Sequence, residues 1–91
     1  EYQIGDVFMS SAFCHPYVIL KKHREGFICS LFTSNAGCPE VLEQCQSRFF
    51  AQSYITKTLF ITTEVQGRFM GVYQNQKHLK EVFTKLKSSL L

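Results

Sequence analysis

The sequence predicts a small β-rich domain ending in one amphipathic helix. Three observations carry that expectation. The first two-thirds of the chain is a series of short runs rich in β-branched and aromatic residues, separated by Gly, Pro, Asn and charged turns. The last sixteen residues carry apolar side chains at helical spacing. The 91 residues, 45% apolar and 19% charged, with nine Phe and four Tyr, suffice for one core and leave no room for a second. A single domain over residues 1–91 is therefore expected.

The elements follow in order. Asp6-Val7-Phe8-Met9, led by Gly5, reads as a strand, and Ser10 to Cys14 as a loop. Pro16 opens a second strand, Tyr17-Val18-Ile19-Leu20, since a strand's first residue tolerates a missing N–H. Lys21 to Gly26 reads as a charged turn, and Phe27 to Thr33 as the antiparallel return strand of a hairpin. Ser34 to Pro39 has loop chemistry. Residues 40 to 50 read two ways: Pro39 followed by Glu40-Val41-Leu42-Glu43 suits a helix start, whereas Arg48-Phe49-Phe50 suits a strand. Tyr54 to Thr63 is strongly β by composition, Gln66-Gly67 is a turn, and Arg68 to Tyr73 forms a further short strand. After Asn75, a good N-cap, Leu79, Val82, Phe83, Leu86 and Leu90 make one apolar stripe, with Lys77, Lys80, Lys85 and Lys87 elsewhere on the helix.

Several classes of function are disfavoured. No Walker loop, nucleophile elbow, nucleotide fingerprint or metal-ligand spacing is present, so neither a cofactor nor a metal is expected. Cys14, Cys29, Cys38 and Cys45 contain no C-x-x-C pair. Their even number leaves a two-disulfide secreted domain open, but a reduced, cytoplasmic protein is the main expectation, because Cys29 sits inside an apolar strand. No apolar run approaches a membrane span, no signal peptide is recognisable, and the absence of Met before position 9 reads as a trimmed or mature fragment. The net charge of +3 permits a polyanionic partner without demanding one.

One resemblance covers nearly the whole chain. Ile4-Gly5-Asp6-Val7-Phe8, followed by a loop ending in His15-Pro16-Tyr17-Val18-Ile19-Leu20, resembles the opening of PemK/MazF-type toxins. Leu31-Phe32-Thr33-Ser34-Asn35, Cys38-Pro39-Glu40-Val41, Ser53-Tyr54-Ile55, and then Thr62, Glu64, Arg68 and Gly71 before the terminal helix are similar to that family's later segments in the same order. The resemblance implies a curved, SH3-like antiparallel β-barrel with a C-terminal helix. It also implies a homodimer paired with an antitoxin protein, and metal-independent cleavage of single-stranded RNA.

Cleavage by attack of a ribose 2′-hydroxyl on its phosphate needs a base, an acid for the leaving oxygen, and donors to the phosphorane. By resemblance, His15, Thr33 and Ser34 are the catalytic candidates, and Lys22, Arg24, Arg68, Thr62 and Glu64 the RNA-binding ones. Two positions depart from the family pattern. His15 stands where the family has Arg before the proline, and Ile61 stands where a related branch has Arg. An imidazole can move a proton near neutral pH but lacks the guanidinium fork. These departures motivate a second reading on the same fold, a catalytically inactive module that grips a protein or nucleic acid.

Overall fold

Among the described residues the fold is a seven-stranded antiparallel sheet with one helix packed on it. A computed structural model describes residues 2–12, 15–45 and 53–90. Its strands are β1 (Asp6–Met9), β2 (Pro16–His23), β3 (Gly26–Thr33), β4 (Val41–Gln44), β5 (Tyr54–Thr56), β6 (Phe60–Thr62) and β7 (Arg68–Val72), followed by α1 (Gln76–Leu90). The sheet order is β4-β5-β3-β2-β1-β7, with β6 also paired to β3. Among the described residues no ladder joins β4 to β7, so the sheet is open there rather than closed into the barrel that the resemblance implies.

Three local differences from the sequence expectations have physical reasons. The charged turn is shorter than expected: β2 runs on through Lys21, Lys22 and His23, and only Arg24 and Glu25 turn the chain. The lysines suit a strand because Lys21 lays its ammonium over the Phe83 ring, 5.3 Å from the centroid, while Lys22 pairs with Phe27. The expected single strand from Tyr54 to Thr63 is split. Tyr54 and Ile55 pair with Thr33 and Phe32, whereas Phe60, Ile61 and Thr62 pair with Cys29, Ile28 and Phe27. The two registers differ by two residues, so Lys57 and Thr58 bulge out of the ladder. The buried Ser30 hydroxyl fills the gap by donating to the Thr56 carbonyl at 3.2 Å, and the Lys57 N–H turns away to the Glu40 carbonyl at 2.6 Å. Within the ambiguous stretch Val41–Gln44 is strand, because its backbone completes the edge of β5. Residues 46–52, including Arg48, Phe49 and Phe50, lie outside the described residues, as does Cys14.

The period-two alternation of the strands sorts side chains onto two faces. On one face Val7, Val18, Leu20, Phe32, Ile55 and Tyr73 meet Leu79, Val82 and Leu86 of α1. Each such buried aliphatic side chain contributes about 1.5–3 kcal/mol. Asn75 caps the helix, its Oδ1 accepting the His78 N–H at 3.0 Å, and the side chain of Leu90 lies outside the described set. On the other face Phe8, Tyr17, Ile19 and Cys29 form a second cluster with Phe27, Leu31, Phe60 and Val65 around it. The Tyr17 hydroxyl donates to the Gln66 carbonyl and accepts the Gln66 N–H at 2.9 Å, strapping the 63–67 segment to that cluster. Cys29, Cys38 and Cys45 are free thiols, so the two-disulfide alternative finds no bridge among the described residues. No helix among the described residues is long and apolar enough to cross a membrane.

Candidate functional site

Antiparallel pairing collects the ends of several strands at one edge of the sheet. Tyr17 opposes Leu31, so His15, just ahead of β2, and Thr33, at the end of β3, lie at the same end of the pair and line one cavity. Thr33 in turn opposes Tyr54, which brings up Ser53. On the other side Pro16 opposes Met9, and Met9 opposes Arg68. A cavity of about 270 Å³ opens at this edge. His15, Thr33, Ser34 and Ser53 supply its polar lining, and Met9, Pro16 and Phe32 its apolar wall. None of these residues is acidic, which favours an anionic or neutral occupant.

The wall is anchored in the core. Phe32 is 1% exposed and stacks on Tyr73 with centroids 5.9 Å apart. The polar rim is set by a tight turn. Thr33 Oγ1 accepts the Asn35 N–H at 3.2 Å, Asn35 Oδ1 accepts the Gly37 N–H at 3.0 Å, and the Cys38 N–H donates to the Asn35 carbonyl at 3.1 Å. Thr33 therefore does have the local turn bond that any strand-end threonine tends to form. In that bond its oxygen is the acceptor, so its own O–H is left to donate toward the cavity it lines. Ser34 and His15 are solvent-exposed at the mouth.

The structure divides the expected site residues. His15, Thr33 and Ser34 share one cavity, and Arg68 is exposed at the same edge of the sheet. Lys22, Arg24 and Thr62 belong to the opposite end, where Lys22 opposes Phe27 and Phe27 opposes Thr62. Thr62 uses its hydroxyl locally, donating to the Glu64 carbonyl at 2.7 Å and accepting the Glu64 N–H at 3.3 Å. That makes Thr62 and Glu64 a self-contained turn, remote along the strands from the cavity.

Sequence reasoning missed one polar cluster. The buried Tyr73 hydroxyl bonds His78 Nδ1 at 2.6 Å, His78 Nε2 bonds a Glu43 carboxylate oxygen, and Lys85 Nζ donates to the other oxygen at 2.5 Å. An imidazole protonated on Nε2, accepting the tyrosine proton at Nδ1, satisfies every bond in the chain. Partial burial alone would raise the Glu43 pKa; the hydrogen bonds from Lys85 and His78, with the charge of the Lys85 ammonium, outweigh it and hold the carboxyl below its ordinary value. One signal was available. His78 falls on the apolar stripe, one residue before Leu79 and four before Val82, where an unpartnered histidine would be costly.

Among the described residues no group of three or more His, Cys, Asp or Glu side chains is placed to hold a metal ion. No family model, curated protein or solved structure matches the chain.

Proposed function

We propose that this chain is an endoribonuclease acting on single-stranded RNA, the toxin of a toxin–antitoxin pair, built as an open variant of the PemK/MazF-type curved barrel. One observation carries the reading: His15, at the start of the hairpin, and the Thr33–Ser34 pair eighteen residues later line a single cavity with no acidic wall. In this mechanism a ring nitrogen of His15 takes the proton of a ribose 2′-hydroxyl. The freed oxygen attacks the adjacent phosphorus, and the P–O5′ bond breaks. The departing 5′-oxygen takes a proton from solvent at the open mouth, leaving a 2′,3′-cyclic phosphate. Thr33 and Ser34 donate to the non-bridging oxygens as charge builds on them. Arg68, on β7 beyond β1 at the same edge of the sheet, supplies the positive charge that the position before Pro16 lacks.

The test is cleavage of a long single-stranded RNA by the purified protein in EDTA. The wild type cleaves, His15→Ala loses at least about a hundredfold in rate, the low end of what a proton-transfer group supplies, and Thr33→Val loses activity while folding normally. Absence of cleavage at high protein concentration, or a His15→Ala variant as active as wild type, overturns the reading.

A second reading, a binding module without chemistry, is favoured by β7. This strand is an edge of the sheet and leaves Phe69 55% and Val72 40% exposed. Under either reading this edge is the proposed surface for a second copy of the chain or for the antitoxin. Growth inhibition that survives loss of both the His15 and the Thr33 side chains selects the binding module.

A further inference from the structure

The far end of the β2–β3 hairpin holds a second open cavity, of about 450 Å³, lined by Tyr2, Lys22, His23, Gly26 and Phe27. Its volume lies within the range of small-molecule sites. The rings of Tyr2 and Phe27 stand at 89° with centroids 5.7 Å apart, and Tyr2 also meets Phe8 at 81° and 5.5 Å. Two rings at a right angle make a corner, with one face as a floor and the other ring as a wall. Tyr2 remains 41% exposed despite both contacts.

The polar lining faces the same way. His23 Nδ1 accepts the Glu25 N–H at 3.3 Å, which places the ring proton on Nε2, available to donate. Lys22 and Arg24 stand against one acid at the hairpin, Glu25, with Glu64 beyond the neighbouring strand β6, while Lys21 reaches instead to the Phe83 ring. Gly26 is held at φ +150°, where a Cβ would lie 2.1 Å from the Thr62 carbonyl oxygen, so the hairpin end keeps a fixed shape.

We propose that this corner is a nucleotide subsite for single-stranded RNA, in which a base stacks on Tyr2 and Phe27 while Lys22 and His23 take its phosphate. Exposed aromatic faces beside cations are what sequence-tolerant binding of single strands uses. The site lies six residues along β2 from Pro16, roughly 20 Å at strand rise. A strand cut at the His15–Thr33 cavity is thereby held at a second point. The inference deepens the ribonuclease reading and rests on it for the identity of the polymer.

The test uses the full chain and a fluorescein-labelled, fully 2′-O-methylated twelve-nucleotide RNA, which lacks the attacking hydroxyl and stays intact. Anisotropy titration at moderate salt is compared with binding of an inorganic polyphosphate of similar charge. Tyr2→Ala weakens RNA binding on the order of tenfold, the scale of one lost base stack, and leaves polyphosphate binding unchanged. Lys22→Ala weakens both, and Phe27→Leu, which keeps apolar volume, weakens only RNA. Wild-type RNA binding by Tyr2→Ala, or an equal loss for polyphosphate, overturns the stacking site. Failure of the wild type to bind the oligomer also overturns it and leaves the corner to a protein partner. Cleavage is scored separately: pocket-dependent binding without cleavage removes the ribonuclease reading and keeps this one, and cleavage with pocket-independent binding does the reverse.

Discussion

Glu43→Ala tests whether the Tyr73–His78–Glu43 chain holds the β4 edge to the helix. His78 is 1% exposed and Tyr73 fully buried, so removing the carboxylate strands an imidazole N–H where water does not reach. An unsatisfied buried donor costs about 1–3 kcal/mol. The exposed Lys85 arm adds little, so the expected loss is about 2 kcal/mol, or roughly 8–16 °C in melting temperature for a domain of this size. Glu43→Gln keeps an acceptor and loses much less, and Lys85→Ala melts close to wild type. The pH dependence has a definite sign. Because the folded carboxyl lies below its ordinary value, its contribution is fully present above the unfolded value of about 4.3 and is lost as the pH falls through the folded one. Differential scanning calorimetry of wild type and Glu43→Ala should therefore show a constant gap from pH 6 to 8 that narrows in acid. No gap at neutral pH, or an undiminished gap at pH 3, refutes the assignment.

Other outcomes follow from the same physics. Burial pushes the thiols of Cys29 and Cys45 up to about 12, so at pH 8 about one in ten thousand of each is ionised, and mass-spectrometric mapping after brief alkylation should find Cys38 labelled well ahead of both. Gly26→Ala forces a side chain into a left-handed conformation against Thr62 and should cost at least roughly 1–3 kcal/mol in urea unfolding, with β2–β3 amides losing exchange protection. Asn75→Ala removes the helix cap and should cost about 1 kcal/mol, whereas Asn75→Gly should cost only a few tenths.

The legibility of this chain divides along the range of the forces involved. Strands β1 to β3 and the helix were readable because their residues state their own preference: β-branched and aromatic runs, Pro16 at a strand start, and Leu79, Val82 and Leu86 one helical turn apart. The break between β5 and β6 was not readable, since Tyr54 to Thr63 is uniformly β in composition and the bulge exists only because Ser30, on another strand, offers a hydroxyl to Thr56. The extension of β2 through Lys21 depends likewise on a ring supplied by Phe83, sixty-two residues away. At the candidate site the meeting of His15 and Thr33 followed from hairpin register. The place of Lys22 and Arg24 at the far end followed from the same charged turn, but the place of Thr62 beside them did not, because composition does not say where along β3 the later strand pairs. Glu43 was hidden for a similar reason, its value coming wholly from His78 and Lys85 on the helix.

The network and the cavity are mechanically joined, which under the proposed ribonuclease reading gives the edge strand a consequence for cleavage. Ser53, in the cavity lining, is held by the Cys45 N–H, which donates to its carbonyl at 3.0 Å. Cys45 directly follows β4, and Gln44 and Glu43 pair with Tyr54 and Ile55. Glu43 therefore ties the helix to the β4–β5 pair, whose flanking Ser53 lines the cavity with His15. Loosening that tie displaces this part of the cavity wall without touching a reacting group. Misplacement of a positioning wall by about 1 Å can cost on the order of a hundredfold in rate. Under that reading Glu43→Ala should lower the cleavage rate by more than the fraction of protein it unfolds, while Asn75→Ala, though it also destabilises α1, should lower it only as far as it unfolds the protein. Single-turnover cleavage measured at 15 °C, where both variants are folded, separates the two: equal rates in both would show that the wall does not depend on the helix.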